Sequence, residues 1–245
     1  PVRVSLNDDY TPNFNRIESA ISNKTKMIVI NNPHNPTGRI WTESDFEALE
    51  TILEKHPQIL ILGDEVYEYI TFSQPHISFN TRPKLVERTI IASSFGKSLH
   101  VTGWKVGYLI ATENLMFEMK KVHQFLVFSV NSFSQHAISE YLDVVDFSEV
   151  SKMYQRKRDL FQNLIKDSRF ELMPCDGTYF QVVNYNQISS KNDVDFAKEL
   201  IVNHGVASIP ISVFYNDATD RHMLRFCFAK TDETLIAAAE KLNQI

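Results

Sequence analysis

The chain has 245 residues, 43% hydrophobic and 22% charged, a globular composition with room for one large domain or two smaller ones. A net charge of -5 supplies no attraction toward nucleic acid or an anionic membrane surface, and apolar runs such as Ile59 to Leu62 and Phe125 to Val130 are far too short to span a bilayer. The opening Pro-Val-Arg-Val-Ser-Leu is no signal peptide, and two cysteines without metal-like spacing, Cys175 and Cys227, read as buried reduced thiols, so the expected compartment is the cytoplasm.

In chain order, Asn13 to Ile21 reads as a short helix and Lys26 to Ile30 as a buried strand. The strand runs into Asn31-Asn-Pro-His-Asn-Pro-Thr-Gly38, a loop stiffened by two prolines. Thr42 is placed to cap a helix with Asp45 three residues on, and Phe46, Leu49, Ile52 and Leu53 give that helix one apolar stripe. Ile59 to Leu62, Arg88 to Ala92 and Val106 to Ala111 are further strands. Near-continuous apolar runs separated by helices indicate a mostly parallel sheet covered on both faces, in an α/β fold. The last of these strands follows a loop without a clear helix, which permits it to run antiparallel.

Helices are expected over Glu113 to Leu126, Ser132 to Val145 and Phe147 to Ile165. The densest basic cluster, Lys152, Arg156, Lys157 and Arg158, lies on the last of these beside Glu149 and Asp159 and reads as a solvated face. The pattern then changes. Thr178 to Asn184 is a strand, Asp193 to His204 a helix stopped by Gly205, Val206 to Ile209 and Met223 to Phe228 are strands, and Glu233 to Leu242 is a final helix. The expected division is a first domain over 1–146 and a smaller α+β domain over 147–245.

The first three strands end in polar residues: Asn35 after the first, Asp64 with Tyr67 after the second, Ser94 and Lys97 after the third. In a parallel sheet such ends share one edge, where open α/β proteins bind ligands. Lys97 sits among small residues in Ser93-Ser-Phe-Gly-Lys-Ser98 and is a candidate Schiff-base lysine, with Lys105 eight positions on as an anion holder. Each residue also has a plainer reading: Lys97 as a solvated loop lysine, Asn35 as a turn residue, Asp64 as a helix cap, Tyr67 as core. Arg225, inside Met223-Leu-Arg-Phe-Cys-Phe228, is either a strand arginine facing solvent or an anion clamp.

Taken together, Asn31-Asn-Pro-His-Asn-Pro-Thr-Gly38, Asp64-Glu-Val-Tyr67, Ser94-Phe-Gly-Lys97, Thr102-Gly-Trp-Lys-Val-Gly107 and Arg225 resemble the pyridoxal-phosphate-dependent aminotransferases of fold type I. The resemblance runs the length of the chain and is strongest to the branch holding kynurenine aminotransferases, glutamine transaminase K and bacterial methionine aminotransferases. It implies transfer of an amino group from a methionine-like or aromatic amino acid to a 2-oxo acid, in a homodimer, with an incomplete large domain followed by a smaller C-terminal α+β domain. It implies that Lys97 binds the cofactor aldehyde and shuttles a proton, and that Asp64 pairs with the pyridine nitrogen. Tyr67 and Asn35 match donors to the ring oxygen, and Ser94 matches a phosphate-binding hydroxyl. Lys105 stands where many relatives have a phosphate-binding arginine, a point charge in place of a bidentate fork. Arg225, with Asn35, matches the clamp on the substrate α-carboxylate.

Relatives of this kind carry a substantial N-terminal portion ahead of the point where this chain begins, including a small-residue loop for the phosphate and a ring that stacks on the pyridine. No glycine-rich phosphate loop occurs among the seven glycines here. The expectation is that the chain alone lacks full activity and exposes apolar surface. Carbon–sulfur β-elimination on the same scaffold, and a non-catalytic module serving in regulation or dimerisation, are the competing readings.

Overall fold

The structure, a computed structural model, describes residues 1–245 and divides into two compact units. The first comprises 1–33, 40–69 and 75–150; the second comprises 34–39, 70–74 and 151–245. Two short segments expected within the first domain, 34–39 and 70–74, thus pack with the second unit.

The first unit begins with α1 (Phe14–Ala20), whose N-cap Asn13 accepts from the Arg16 N–H. Then come β1 (Met27–Asn31), α2 (Glu43–Glu54), β2 (Leu60–Asp64), β3 (Thr89–Ser94), the single turn α3 (Phe95–Ser98) and β4 (Gly107–Ala111). Asp45 reaches back to the Thr42 N–H at 2.8 Å, which fixes the start of α2. The α2 stripe is realised: Phe46, Leu49 and Leu53 are fully buried, each contributing roughly 1.5–3 kcal/mol. With Trp41, Ile59, Ile61 and Phe79 they form the core of this unit.

Strand order is β1-β2-β3-β4. The first three strands are parallel, whereas β4 pairs antiparallel with β3, with Ser93 opposite Tyr108 and Ser94 opposite Gly107. The expected covering of both faces holds for the inner strands, where consecutive residues of β3 are buried, and fails at the edge strands. Val29 of β1 is 66% exposed, and Leu109 and Ile110 of β4 are exposed too. The following α4 (Glu113–Leu126) buries no residue and α5 (Ser132–Leu142) buries only Ile138. Phe125, Phe128 and Phe133 are each at least 84% exposed, an apolar surface far beyond scattered single residues.

α6 (Phe147–Ile165) begins in the first unit and continues into the second. The second unit holds β5 (Glu171–Leu172), β6 (Phe180–Asn184), α7 (Asp193–His204), β7 (Ile209–Pro210), β8 (Met223–Cys227) and α8 (Asp232–Leu242). Its sheet is antiparallel throughout, in the order β5-β6-β8-β7. Alternation along β8 buries Leu224 and Phe226 and turns Arg225 and Cys227 to the other face, so Cys227 is half-buried where a buried thiol was expected. Cys175 is buried, and burial pushes its thiol pKa up to about 12. The basic cluster is also more engaged than expected: Arg156 pairs with Asp232 at 2.6 Å, and Arg158 bonds the Cys175 carbonyl and lies over the Phe72 ring. No helix is long and apolar enough to cross a membrane.

Candidate active site

In the first unit the candidate residues gather where β2 and β3 end. Asp64 closes β2, and its carbonyl accepts from the Asn32 N–H at 3.0 Å and from the Asn31 side chain at 2.9 Å, anchoring the strand end to β1. The chain then turns sharply, the Glu68 N–H donating to the Glu65 carbonyl at 2.9 Å. Glu65 points inward: its carboxylate takes the Phe79 N–H and the His76 imidazole, both at 2.9 Å. Tyr67 is buried, and Lys97 Nζ lies 5.7 Å from the centroid of its ring. Tyr67 is therefore a core residue that also neighbours Lys97.

Ser94 ends β3 and caps α3, its hydroxyl oxygen accepting from the Gly96 N–H at 3.1 Å. The expected loop around Lys97 is thus one helical turn. Gly96 is required there, because a Cβ would lie 2.9 Å from Thr102 Cα. Lys105 is exposed and has φ of 58°, in the left-handed region, so β4 starts two residues later.

Asp64 lies within the field of Lys97. Burial raises the Asp64 carboxyl above its usual range, and the positive charge of Lys97 opposes that rise. The Asp64 carboxylate accepts a long hydrogen bond of 3.5 Å from the Val66 N–H. A half-buried carboxylate with so weak a hydrogen-bond partner fits a cationic ring nitrogen.

In the second unit the candidate residues are Asn35 and Arg225. Arg225 Nη1 donates to Asn35 Oδ1 at 2.5 Å although the two are 190 positions apart in sequence. The guanidinium carbon stacks 3.9 Å from the Phe180 ring and 5.3 Å from Phe214. Register explains the first contact: Val182 is opposite Arg225 and Phe180 opposite Cys227, so Phe180 is the diagonal neighbour on the same face. Asn35 is held by its loop. The Gly38 N–H bonds the His34 carbonyl, the Gly38 carbonyl accepts from the Asp176 and Gly177 N–H groups, and Arg39 pairs with Asp176 at 2.6 Å. Gly38 has φ of 73°, and a Cβ there would lie 2.9 Å from the Gly177 oxygen.

The seven candidates thus fall into two groups: Asp64, Tyr67, Ser94, Lys97 and Lys105 in the first unit, Asn35 and Arg225 in the second. The sequence reading did not single out Phe180 and Phe214 around Arg225, or Glu68 with Ser93 and Tyr108. The signal for the second set was adjacency, since each lies one position from a candidate residue or a glycine at a strand end.

The family model described as aminotransferase class I and II matches residues 1–242. The chain belongs to that family. It is 44% identical to a methionine aminotransferase of Escherichia coli (strain K12) over 228 residues, covering 92% of this chain and 59% of that protein. It is 33% identical to a kynurenine–oxoglutarate transaminase of Dictyostelium discoideum, covering 95% of this chain and 59% of that protein. Among solved structures, an Escherichia coli protein identified by structure and reactivity as having a methionine aminotransferase function superposes with a TM-score of 0.96 at 41% identity. That match covers all of this chain and 65% of the other. An N-succinyldiaminopimelate aminotransferase of Mycobacterium tuberculosis gives 0.91 at 26% identity, covering 98% of this chain and 64% of that one. The fold is therefore that of the fold type I aminotransferases, whose cofactor is pyridoxal phosphate. This chain spans about three-fifths of the length of these curated relatives.

Proposed function

We propose that the protein to which this chain belongs transfers the amino group of a methionine-like or aromatic amino acid to a 2-oxo acid. The observation that carries the reading is geometric: Asp64 ends β2, Lys97 lies on the turn after β3, and Lys97 Nζ stands 5.7 Å from the centroid of the buried Tyr67 ring. The identities to methionine and kynurenine aminotransferases support the substrate class.

Pyridoxal phosphate, when bound, supplies the electrophilic carbon and the electron-accepting ring that make an amino-acid α-proton removable. The donor set of the first unit suits it: a carboxylate for the ring nitrogen, a phenol for the ring oxygen, an amine for the aldehyde, and a hydroxyl with a cation for the phosphate. Lys97 would hold the cofactor through its aldehyde, and its amine would serve as the base for the substrate α-proton. Asp64 would pair with the ring nitrogen and keep it protonated, and Tyr67 would donate to the ring oxygen, a role the family resemblance also gives Asn35. Ser94 and Lys105 would hold phosphate oxygens, Lys105 by charge alone. Arg225, fixed by Asn35 and the aromatic faces, binds the substrate α-carboxylate bidentately.

The enzyme acts as a homodimer in the cytoplasm. The exposed apolar side chains of α4, α5 and the turn between them support a second copy or further chain covering that face. The deciding experiment is a substrate screen on the full-length protein. Expected is conversion of methionine to its 2-oxo acid with equimolar amination of a 2-oxo acceptor. Release of pyruvate and ammonia from cystathionine, with no acceptor aminated, would overturn the reading in favour of elimination.

A further inference from the structure

Glu68 has no part in the roles assigned so far, yet it receives the two hydrogen bonds that close the lysine segment. Ser93 Oγ donates to Glu68 Oε1 at 2.6 Å, and the Tyr108 hydroxyl donates to the same oxygen. Ser93 and Tyr108 are a facing pair of β3 and β4, at the level where the chain leaves the sheet and where it returns. Between them lie Ser94, Lys97 and Lys105. Glu68 itself follows Tyr67 in the turn that starts at Asp64, and its own N–H is tied to the Glu65 carbonyl. One carboxylate thus joins the turn carrying the ring partners to both ends of the segment carrying the lysines.

The surroundings make this tie rigid. Ser93 is 7% exposed. A Cβ on Gly107 would lie 2.6 Å from the Ser93 oxygen, so β3 and β4 meet here at a distance only glycine permits. The Phe95 ring packs on Tyr108 at 4.9 Å between centroids. Burial and the Glu68 carboxylate both raise the Tyr108 phenol above its usual pKa, so it stays a donor throughout the working range.

We propose that Glu68 is a positioning residue that sets Lys97 against Asp64 by holding Ser93 and Tyr108 on a single carboxylate oxygen. It touches no substrate and acts through the segment it ties. The proposal rests on the reading of Lys97 and Asp64 as cofactor residues. Its consequence is that loss of Glu68 changes cofactor affinity and the charge balance at Lys97 while all the ligating side chains remain.

The test uses the full-length protein and pyridoxal phosphate as probe, comparing wild type with Glu68→Ala, Glu68→Gln and Tyr108→Phe. Two quantities are read: the dissociation constant of the cofactor, and the pH midpoint of the visible absorption of the bound cofactor. Losing two charge-assisted bonds should weaken binding by about tenfold or more in Glu68→Ala and shift the midpoint measurably. Glu68→Gln keeps an acceptor oxygen and should recover most of both effects. Tyr108→Phe loses one donor and should fall between wild type and Glu68→Ala, which keeps the proposal testable if Glu68→Ala fails to fold. A wild type that does not bind the cofactor removes the functional reading on which this rests. A wild type that binds, with the foldable variants within twofold and the midpoint unmoved, overturns the tie alone.

Discussion

The two units place their candidate groups in opposite ways. In the first, the groups stand at the ends of parallel strands, on turns that the strands deliver to one edge. In the second, Arg225 stands in the middle of an antiparallel strand, and its partner Asn35 arrives on a loop from far upstream. The first arrangement uses geometry that any parallel sheet provides. The second needs local compensation: a guanidinium inside an apolar strand is held by an amide oxygen and two aromatic faces. The units also differ in closure. The second buries a continuous core through β6, β8 and α7, while the first leaves the aromatic residues of α4, α5 and the turn between them exposed.

That contrast can be broken by substitution in the full-length protein. Lys97→Ala should have the largest effect, a loss of turnover of about 10⁴-fold or more, because both the covalent anchor and the proton shuttle disappear. Steady-state kinetics check it, and a variant retaining a tenth of wild-type turnover would remove Lys97 from the chemistry. Arg225→Ala should cost roughly 2–5 kcal/mol in kcat/KM, expressed mainly through the α-carboxylate, and a substrate analogue lacking that carboxylate should be insensitive to it. The aromatic support is a finer instrument. Phe180→Leu should cost about 0.5–2 kcal/mol in the same quantity, since it removes the cation–π face and leaves the charge in place.

The units should also respond to pH with opposite sign. His34, on the Asn35 loop, has its imidazole lowered by burial from 6.5 to about 4. An unfolded chain takes up that proton first as the pH falls. The stability tied to neutral His34 is therefore complete above about pH 6.5 and is lost toward pH 4, by about 3 kcal/mol at most. Asp64, in the first unit, is raised by burial, so its contribution is present below the unfolded carboxyl value and is lost as the pH rises through the folded one. Urea denaturation between pH 4 and 8 reads both. His34→Gln should flatten the acid side, and Asp64→Asn should flatten the rise in instability at higher pH. Identical profiles for wild type and His34→Gln would place that imidazole in water.

How much of this was legible in the sequence follows from the same physics. Long periodic helices were read to the residue at Phe147–Ile165 and Asp193–His204, where an apolar stripe and a glycine stop leave little choice. Strand starts were missed where single residues adopt left-handed backbone. Thr178 has φ of 65°, so the strand expected from it begins at Phe180, and Lys105 at 58° delays β4 to Gly107. The two-residue β5 has no pattern to read. The sheet-end residues were visible because polar groups after apolar runs stand out. Their supports were not: Phe180 beside Arg225 depends on register, and Glu68 below Ser93 and Tyr108 depends on the β3–β4 pairing.

The central claim is that Lys97 is the cofactor-bearing amine. The most direct measurement is borohydride reduction of the full-length protein with pyridoxal phosphate, followed by peptide mapping. The account predicts one stable adduct, on Lys97, absent from Lys97→Ala. An adduct confined to Lys105 or another lysine, or labelling undiminished in Lys97→Ala, would contradict it.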